Sequence, residues 1–287
     1  MCHQASQRRS ADIPKAARAT ARIHCAHIYL VYSFRPGLIV TISIFNLNCW
    51  LFPPPISAEG DARLAAIIAM IKEYGADIIS LQEVWLNAHL RRLRQSLPGY
   101  HCISSGTPLY NQSGLALFLK EKPLFSEIKH FERSLGHNGT EWLLRKGYIS
   151  AKVLLGGKEY TVIDTHLYAA FSRAGKTVTE SQFREVVRNA PQGNTIICGD
   201  LNLEDEAVSR INEGIFSRLC DEERTLDGKN PYSNKRFNKL NMKKRPEGKK
   251  IDYMLYKGIA GTAIEYKVVK APLVSDHYPM FCKIHFS

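Results

Sequence analysis

The sequence lacks the features that mark several common classes of protein. Its 287 residues contain no run of eighteen apolar residues, which excludes a transmembrane helix and restricts any membrane contact to the periphery. The seven cysteines are scattered, odd in number and without a C-x-x-C pair, so neither a zinc site nor a disulfide framework is predicted. We therefore expect reduced thiols and a cytoplasmic or peripherally membrane-associated protein.

Acidic residues are fewer than basic residues in this chain. Lys and Arg number 39 against 27 Asp and Glu, and the net charge of +12 favours an anionic partner such as nucleic acid, an acidic membrane face or a phosphorylated substrate. Residues 1–36 are rich in Arg, Ser and Ala and nearly free of acids, which is typical of a basic extension that is either disordered or a targeting segment. Residues 37–287 are long enough for one large domain with a substantial core.

Apolar periodicity predicts many strands with helices irregularly interspersed. Residues 38–48 form a β-branched strand, residues 61–75 have helical apolar spacing with an acidic start and a glycine stop, and residues 76–85 return to strand. Further strands are predicted at residues 114–120, 148–157, 159–167, 194–202, 250–258 and 279–286, with helices near 86–96, 173–190 and 204–212. This pattern favours a two-layered sheet core covered by helices over strict βαβ alternation.

Polar side chains gather toward the ends of these apolar strands. Three strands carry polar pairs two residues apart: Asn46 and Asn48, Asp164 and His166, and Asp200 and Asn202. Because side chains alternate across a strand, each pair points to one side. Glu83, Asp252, Asp276 and His277 lie at comparable positions. A strand end that simply meets solvent explains any one pair, but six segments with the same arrangement favour convergence on one site.

Convergence would bring several carboxylates together. Mutual repulsion among them raises their pKa values or requires a cation. Oxygen ligands with no cysteine select Mg²⁺ over zinc, with Mn²⁺ as the alternative. The two histidines then remain available for proton transfer.

Six motifs in this order carry a resemblance to a known superfamily: "IFNLNCW", "LQEVW", "DTHLYA", "GDLN", "IDYMLYK" and "SDH". The chain from about Leu38 to its end resembles the endonuclease/exonuclease/phosphatase superfamily of metal-dependent phosphoesterases. The fuller forms of the motifs resemble the neutral sphingomyelinases within it. The resemblance implies an α/β fold of the DNase I-like kind, a four-layer α/β sandwich of two packed mixed β-sheets flanked by helices. It places the active site at one end of the sheets.

The resemblance also implies a metal side of the site. Glu83 is then the principal Mg²⁺ ligand, Asn46 lies beside it and Asp276 completes the metal environment. Asn48 is expected among the substrate-binding residues.

On the catalytic side, the resemblance makes His277 the general base, held in its productive tautomer by Asp252. Asp200 and Asn202 position the attacking water and the phosphate oxygens. His166 faces the leaving group, as a proton donor or as a hydrogen-bond donor to the phosphate.

Two further substrate-binding candidates each have a plain structural alternative. Lys146 ends the segment Glu141 to Lys146, which resembles a loop of the neutral sphingomyelinases, although Arg145 stands where that loop has glycine. Lys146 is therefore a switch, a phosphate contact or a surface lysine. Trp50 begins an apolar loop with three prolines and is either inserted into lipid or packed under a helix.

The resemblance predicts a Mg²⁺-dependent phosphodiesterase that hydrolyses sphingomyelin to ceramide and phosphocholine by in-line attack of water. The alternative is a metal-dependent nuclease or phosphatase of the same superfamily. A basic stretch fits an anionic membrane surface or a nucleic-acid backbone. It contains Lys235, Arg236, Lys239, Lys243, Lys244, Arg245, Lys249 and Lys250. Sphingomyelin or a related choline phospholipid is the expected partner, and nucleic acid is the second choice.

Overall fold

The computed structural model describes residues 40–107, 110–133, 144–170, 172–219, 223–233, 248–258 and 264–286. The predicted extension at 1–36, the segment 141–143 and the basic residues from Lys235 to Arg245 lie outside the described residues. Within the described residues, no helix is both long enough and apolar enough to cross a bilayer.

Among the described residues, twelve strands form two six-stranded sheets. The first sheet has the order β11 (Ile264–Val268), β12 (Met280–Phe286), β1 (Val40–Leu51), β2 (Ile78–Val84), β4 (Asn111–Leu119) and β3 (His101–Gly106). The second sheet has the order β5 (Phe125–His130), β6 (Gly147–Leu155), β7 (Lys158–His166), β8 (Thr195–Asp200), β10 (Asp252–Lys257) and β9 (Ser217–Arg218). Both sheets are mixed, because β1 pairs with β2 and β7 pairs with β8 in parallel while their other pairings are antiparallel.

In the described part of the chain, four helices cover the outer faces of the sheets. They are α1 (Gly60–Tyr74), α2 (Asn87–Ser96), α3 (Arg173–Asn189) and α4 (Asp205–Asn212). The predicted glycine stop of α1 is confirmed, because Gly75 adopts a φ of 52° and its N–H donates to the Ile71 carbonyl.

Three apolar clusters define the layers. The central cluster lies between the sheets and includes Ile44 of β1, Val162 of β7 and Met254 of β10. A second cluster packs the first sheet against α1 and α2, and a third packs the second sheet against α3 and α4. The order helices, sheet, sheet, helices confirms the predicted four-layer α/β sandwich.

The predicted helices and inner strands are confirmed, but four strands were not predicted. These are β3, β5, β9 and β11, and each is the outermost strand of its sheet. An edge strand meets solvent along one side and, in β3 and β5, on its faces as well, so its sequence carries no continuous apolar run.

Candidate active site

The inward faces of the central strands change from apolar to polar at one end of the sandwich. On β1 the face that begins with Ile42 and Ile44 continues with Asn46 and Asn48. The same change occurs on β7, where Val162 is followed by Asp164 and His166, and on β8, where Cys198 is followed by Asp200. A polar site therefore closes the end of the layer between the two sheets.

Asp200 lies at the centre of this site. Its Oδ2 atom accepts a hydrogen bond from Asn48 Nδ2 at 2.9 Å and lies 3.5 Å from His166 Nε2 and 3.9 Å from His277 Nε2. Asn48 Nδ2 also lies 3.1 Å from Glu83 Oε1, and that oxygen is 3.8 Å from His166 Nε2. The structure thus brings Glu83, from the first sheet, and His277 into one cluster of contacting side chains.

His277 and Asp252 form a buried imidazole and carboxylate pair. His277 Nδ1 lies 2.8 Å from Asp252 Oδ2, and both residues are at most 2% exposed. Burial disfavours the imidazolium, but the negative charges of Asp252, Asp276 and Asp200 and the hydrogen bond to Asp252 outweigh it and raise the pKa of His277 to about 10. Asp252 therefore fixes the orientation of the ring and leaves Nε2 turned toward Asp200.

Asp200 is itself held by the turn that follows β8. Its Oδ1 atom accepts from the N–H of Asn202 at 2.9 Å, and Asn202 adopts the left-handed region with a φ of 49°. Burial and the charge of Asp252 raise the pKa of Asp200 to about 7, although His277 and Lys146 act in the opposite direction. The protonated form of this carboxyl group is therefore favoured relative to that of an exposed aspartate.

Lys146 and Asn202 meet at one backbone oxygen beside the site. Lys146 Nζ donates to the Leu167 carbonyl at 2.9 Å, and Asn202 Nδ2 donates to the same oxygen at 3.0 Å. Lys146 is only 6% exposed, so the alternative of a surface lysine is wrong. Its charge reaches Asp200, which places a buried cation at the edge of the cluster.

Asp276 and His277 reach the site on a loop that is bound to β1. Ser275 Oγ donates to the Asn48 carbonyl at 2.6 Å, contacts Asp276 Oδ1 at 3.2 Å and accepts from the N–H of His277 at 3.3 Å. The side chains of Asp276 and His277 are both buried. Ser275 therefore joins the strand that carries Asn48 to the loop that carries the proposed base.

Asn46 does not join the cluster of site carboxylates. Its Oδ1 atom accepts from Ser80 at 2.9 Å and from Gln82 at 3.0 Å, and the same two donors bind Asp164 Oδ1 at 2.8 Å. Burial raises the pKa of Asp164 to about 7, against the effect of those two hydrogen bonds. The amide oxygen that was expected to lie beside the metal is thus already hydrogen-bonded, and Asn46 belongs to a buried polar layer one step deeper along the strands.

Trp50 is packed in the interior, which is the second of the two placements considered for it. The residue is 1% exposed, and its ring packs against Arg63 and Tyr232. The remaining described part of the basic stretch is engaged as well, since Lys249 pairs with Glu204 and Lys250 lies 3.4 Å from Asp205. Trp50 itself is therefore closed off from solvent, whereas Ile56 in the loop that follows it is 50% exposed.

Sequence reasoning missed several residues that hold the site together. Ser80 and Gln82 follow Ile78 at two-residue intervals on β2, so all three side chains point to the same face. This spacing could have placed Ser80 and Gln82 beside Asn46 and Asn48. Arg63 lies four residues before Ile67, on the apolar face of α1, which is an unusual position for a charged residue. Ser275 gave no separate signal, because serine before a polar pair occurs in many loops.

The donor set fits a hard divalent cation. Four carboxylates, on Glu83, Asp200, Asp252 and Asp276, are each at most 2% exposed. Such an excess of buried negative charge is stabilised by a cation. Within the described part of the chain, the Oδ1 atom of Asp252 has no hydrogen-bond partner, so an acceptor is available there.

Two groupings could hold that cation. Ligand atoms of Asp200, Asp252 and His277 lie within 4.8 Å of one another. In that group, however, His277 Nδ1 and Asp252 Oδ2 already bind each other. Glu83 offers a further carboxylate, which shares Asn48 Nδ2 with Asp200. A cation held there would leave the imidazole pair intact.

The chain is similar to proteins of a known family. Residues 45–277 match the Endonuclease/Exonuclease/phosphatase family. Sphingomyelin phosphodiesterase 2 of Homo sapiens is 27% identical over 262 residues, which cover 81% of this chain and 60% of the human protein. The chain therefore spans about three fifths of the length of that relative.

Two solved structures share the fold. Sphingomyelinase C from Streptomyces griseocarneus superposes with a TM-score of 0.65 at 18% identity and covers 85% of this chain and 99% of that one. TDP2 from D. rerio, in complex with a single-strand DNA product, has a TM-score of 0.67 at 18% identity, with 85% and 98% covered. The architecture is thus the DNase I-like fold that was predicted. Because the family match extends over most of the chain, the protein belongs to the endonuclease/exonuclease/phosphatase family.

Proposed function

We propose that this domain is a Mg²⁺-dependent phosphodiesterase of the phospholipase C type, which hydrolyses sphingomyelin to ceramide and phosphocholine. The observation that carries the proposal is the shared contact of three groups with Asp200. The imidazole of His277, the imidazole of His166 and the amide of Asn48, which also binds Glu83, all meet its Oδ2 atom. These groups supply a base, a second proton-transfer residue and a metal carboxylate within a few ångströms of one another.

A Mg²⁺ ion, with Mn²⁺ as the alternative, would be held by Glu83 with Asp276 as the second candidate carboxylate. Bound there, the ion would supply electrostatic stabilisation of the negative charge that develops on the phosphate oxygens. Its positive charge would also oppose the carboxylates that raise the pKa of His277, and so favour the neutral imidazole that a general base needs.

His277 is suited to remove a proton from the attacking water. Asp252 accepts the hydrogen bond from its Nδ1, which leaves Nε2 as the basic atom on the side of Asp200. Asp200, whose own pKa lies near 7, is placed to bind the same water. The in-line attack then expels the alkoxide of ceramide from phosphorus on the opposite side.

His166 is suited to assist departure of the leaving group. Its Nε2 lies between Glu83 and Asp200, and the residue is 1% exposed. In this position it donates a proton to the leaving oxygen or a hydrogen bond to the phosphate. Asn202 and Lys146, which both donate to the Leu167 carbonyl beside the site, would donate to the remaining phosphate oxygens.

The choice of substrate rests on similarity and on charge. The human relative and the Streptomyces structure support a phospholipid substrate by their names. The net charge of +12 supports contact with an anionic membrane surface. The second candidate is a nuclease, which the fold of D. rerio TDP2 with its DNA product and the same positive charge favour.

The test is hydrolysis by the purified chain in mixed micelles, with Mg²⁺ or with EDTA. Sphingomyelin and a lysophospholipid are offered in parallel with abasic duplex DNA. We expect phosphocholine release from sphingomyelin that requires the metal. Cutting of DNA without release of phosphocholine would replace the proposal by the nuclease alternative.

A further inference from the structure

Arg63 is a charged residue buried where α1 begins, outside every role described so far. It is 2% exposed. A buried guanidinium is costly unless its donors are satisfied, so the groups that it binds indicate what its burial achieves.

All five N–H donors of Arg63 are hydrogen-bonded. Nε donates to the Ala58 carbonyl at 2.9 Å, and one of the terminal nitrogens donates to Ser57 Oγ. The remaining donors bind three backbone oxygens: Cys49 at 2.7 Å, Trp50 at 2.7 Å and Val274 at 3.2 Å. One planar group therefore joins the end of β1, the loop after it and the segment that leads into Ser275.

Two aromatic rings from different segments contact the same guanidinium. The Trp50 ring centroid lies 5.1 Å from Arg63 Cζ, and the Tyr232 centroid lies 5.4 Å from it. Both distances are within the range of a cation–π contact. Arg63 thus also binds the segment that carries Tyr232.

Each of these segments carries part of the proposed machinery. Cys49 follows Asn48, the residue that bridges Glu83 and Asp200. Val274 lies two residues before Asp276 and three before His277. The segment of Tyr232 holds the same loop, because Asn230 Nδ2 donates to the Ser275 carbonyl at 2.9 Å and Ser233 Oγ donates to the Asp276 carbonyl at 3.0 Å.

We propose that Arg63 is a positioning residue, which sets the separation between Asn48 on β1 and the loop that carries Asp276 and His277. The inference rests on the proposed function only for its kinetic readout. Its physical basis is the flat fork of donors, which fixes three carbonyls at defined separations, whereas a lysine ammonium binds from a single point. Displacement of a reacting group by about 1 Å costs about 10²-fold in rate, so a loss of this fork is expected to appear in kcat.

The experiment compares Arg63→Ala and Arg63→Lys with the wild-type chain. Both variants are expected to lower kcat on sphingomyelin by about 10- to 100-fold with KM within about threefold, because the substrate groups are retained and only their alignment changes. Guanidinium ion, at a concentration that does not unfold the protein, is expected to restore part of kcat in Arg63→Ala. Methylammonium is expected to restore none.

A second readout does not depend on the substrate. The proton on His277 Nδ1, bonded to Asp252, is expected to give a downfield proton resonance that is absent in His277→Gln. We expect Arg63→Ala to shift or broaden this resonance, and guanidinium to return it. If Arg63→Ala does not fold, both readouts are taken on Arg63→Lys, which keeps the charge and the aliphatic stem.

Arg218→Ala is the matched control. Arg218 is also partly buried, binds the carbonyl of Asp205 at 3.0 Å and its carboxylate at 2.9 Å, and contacts the ring of Tyr253, but it touches neither β1 nor the His277 loop. Its variant is expected to melt at a lower temperature with kcat unchanged.

The outcomes distinguish a failure of the proposed function from a failure of the inference about Arg63. If the wild-type chain hydrolyses no sphingomyelin, the proposed function is wrong, and the His277 resonance alone decides the role of Arg63. If the wild-type chain is active and both Arg63 variants keep wild-type kcat and an unshifted resonance while melting earlier, Arg63 is purely structural and the inference is overturned.

Discussion

At the scale of single residues, the site depends on charged groups held out of water. His277, Asp252 and Asp200 are each at most 2% exposed, and their spacing of 2.8 to 3.9 Å makes each sensitive to the charge of the others. Replacing one of them leaves the overall packing in place but removes the atom that moves a proton or holds a charge. Kinetic effects much larger than stability effects are therefore expected at these positions.

His277→Gln is expected to lower kcat by about 10²- to 10⁴-fold, because glutamine cannot take a proton from water. Phosphocholine release at saturating Mg²⁺ measures the loss. His285→Gln on β12 is the control, since His285 contacts Thr41 and Glu265 near the surface and its loss should leave full activity. Equal activity of the two variants would contradict the role of His277 as base.

Glu83→Gln is expected to act on metal affinity. The Mg²⁺ concentration for half-maximal activity should rise by at least about tenfold, as it does when groups around a metal are altered, and high Mg²⁺ should recover part of the rate. The measurement is a Mg²⁺ titration of activity beside the wild-type chain. The control is Glu265→Gln at an exposed position, which should have the same half-maximal Mg²⁺ concentration as the wild-type chain. If Glu83→Gln also has the wild-type half-maximal concentration, Glu83 is not a metal ligand.

At the scale of elements, the strands that carry the site are fixed at their far ends by Asp77. Its carboxylate accepts from Ser43 N at 2.8 Å and Ser43 Oγ at 2.7 Å on β1, and from Lys120 Nζ at 2.9 Å. Burial alone would raise the pKa of Asp77, but these hydrogen bonds and the charge of Lys120 hold it below the ordinary value of 3.8. The ionised form is therefore a stabilising contact between β1, β2 and β4.

Asp77→Asn is expected to reduce the free energy of unfolding by about 1.5 to 3 kcal/mol at neutral pH, the range for hydrogen bonds to charged groups. Since the folded-state pKa is depressed, the contribution is present above 3.8 and disappears as pH falls through the lower folded value. Urea unfolding of both proteins from pH 7 to pH 2.5 should show the difference shrink. A difference that is independent of pH, or equal to that of exposed Glu121→Gln, would contradict this account.

At the scale of the whole molecule, the excess of positive charge favours binding to anionic membranes. We expect binding to vesicles that contain phosphatidylserine, because basic residues contribute about 1 kcal/mol each near an anionic surface. Binding measured by co-sedimentation should fall steeply between about 0.05 and 0.5 M salt as screening shortens the range of the field. Vesicles of phosphatidylcholine alone are the control, and salt-independent binding to both would show that charge is not the cause.

The fold was largely predictable because its inner strands are buried on both faces. β1, β2, β7, β8 and β12 are apolar enough to be identified from sequence, and the helices show their periodicity. The edge strands β3, β5, β9 and β11 were missed since exposure removes that pattern. The polar pairs at the strand ends were visible for the same reason, because polar residues interrupt runs that are otherwise apolar.

The sequence by itself determined which residue types stand at the ends of buried strands, and so the kind of chemistry that this protein can perform. Only the tertiary structure decided which of them meet. Asn46 and Asn48 have the same spacing and the same facing, yet Asn48 binds Glu83 and Asp200 whereas Asn46 lies in the deeper layer with Ser80 and Gln82. The placement of Trp50 was likewise open from sequence, and the structure buries it against Arg63. The reason is that contacts across two sheets depend on the register and separation of strands far apart in the chain, which local patterns do not encode.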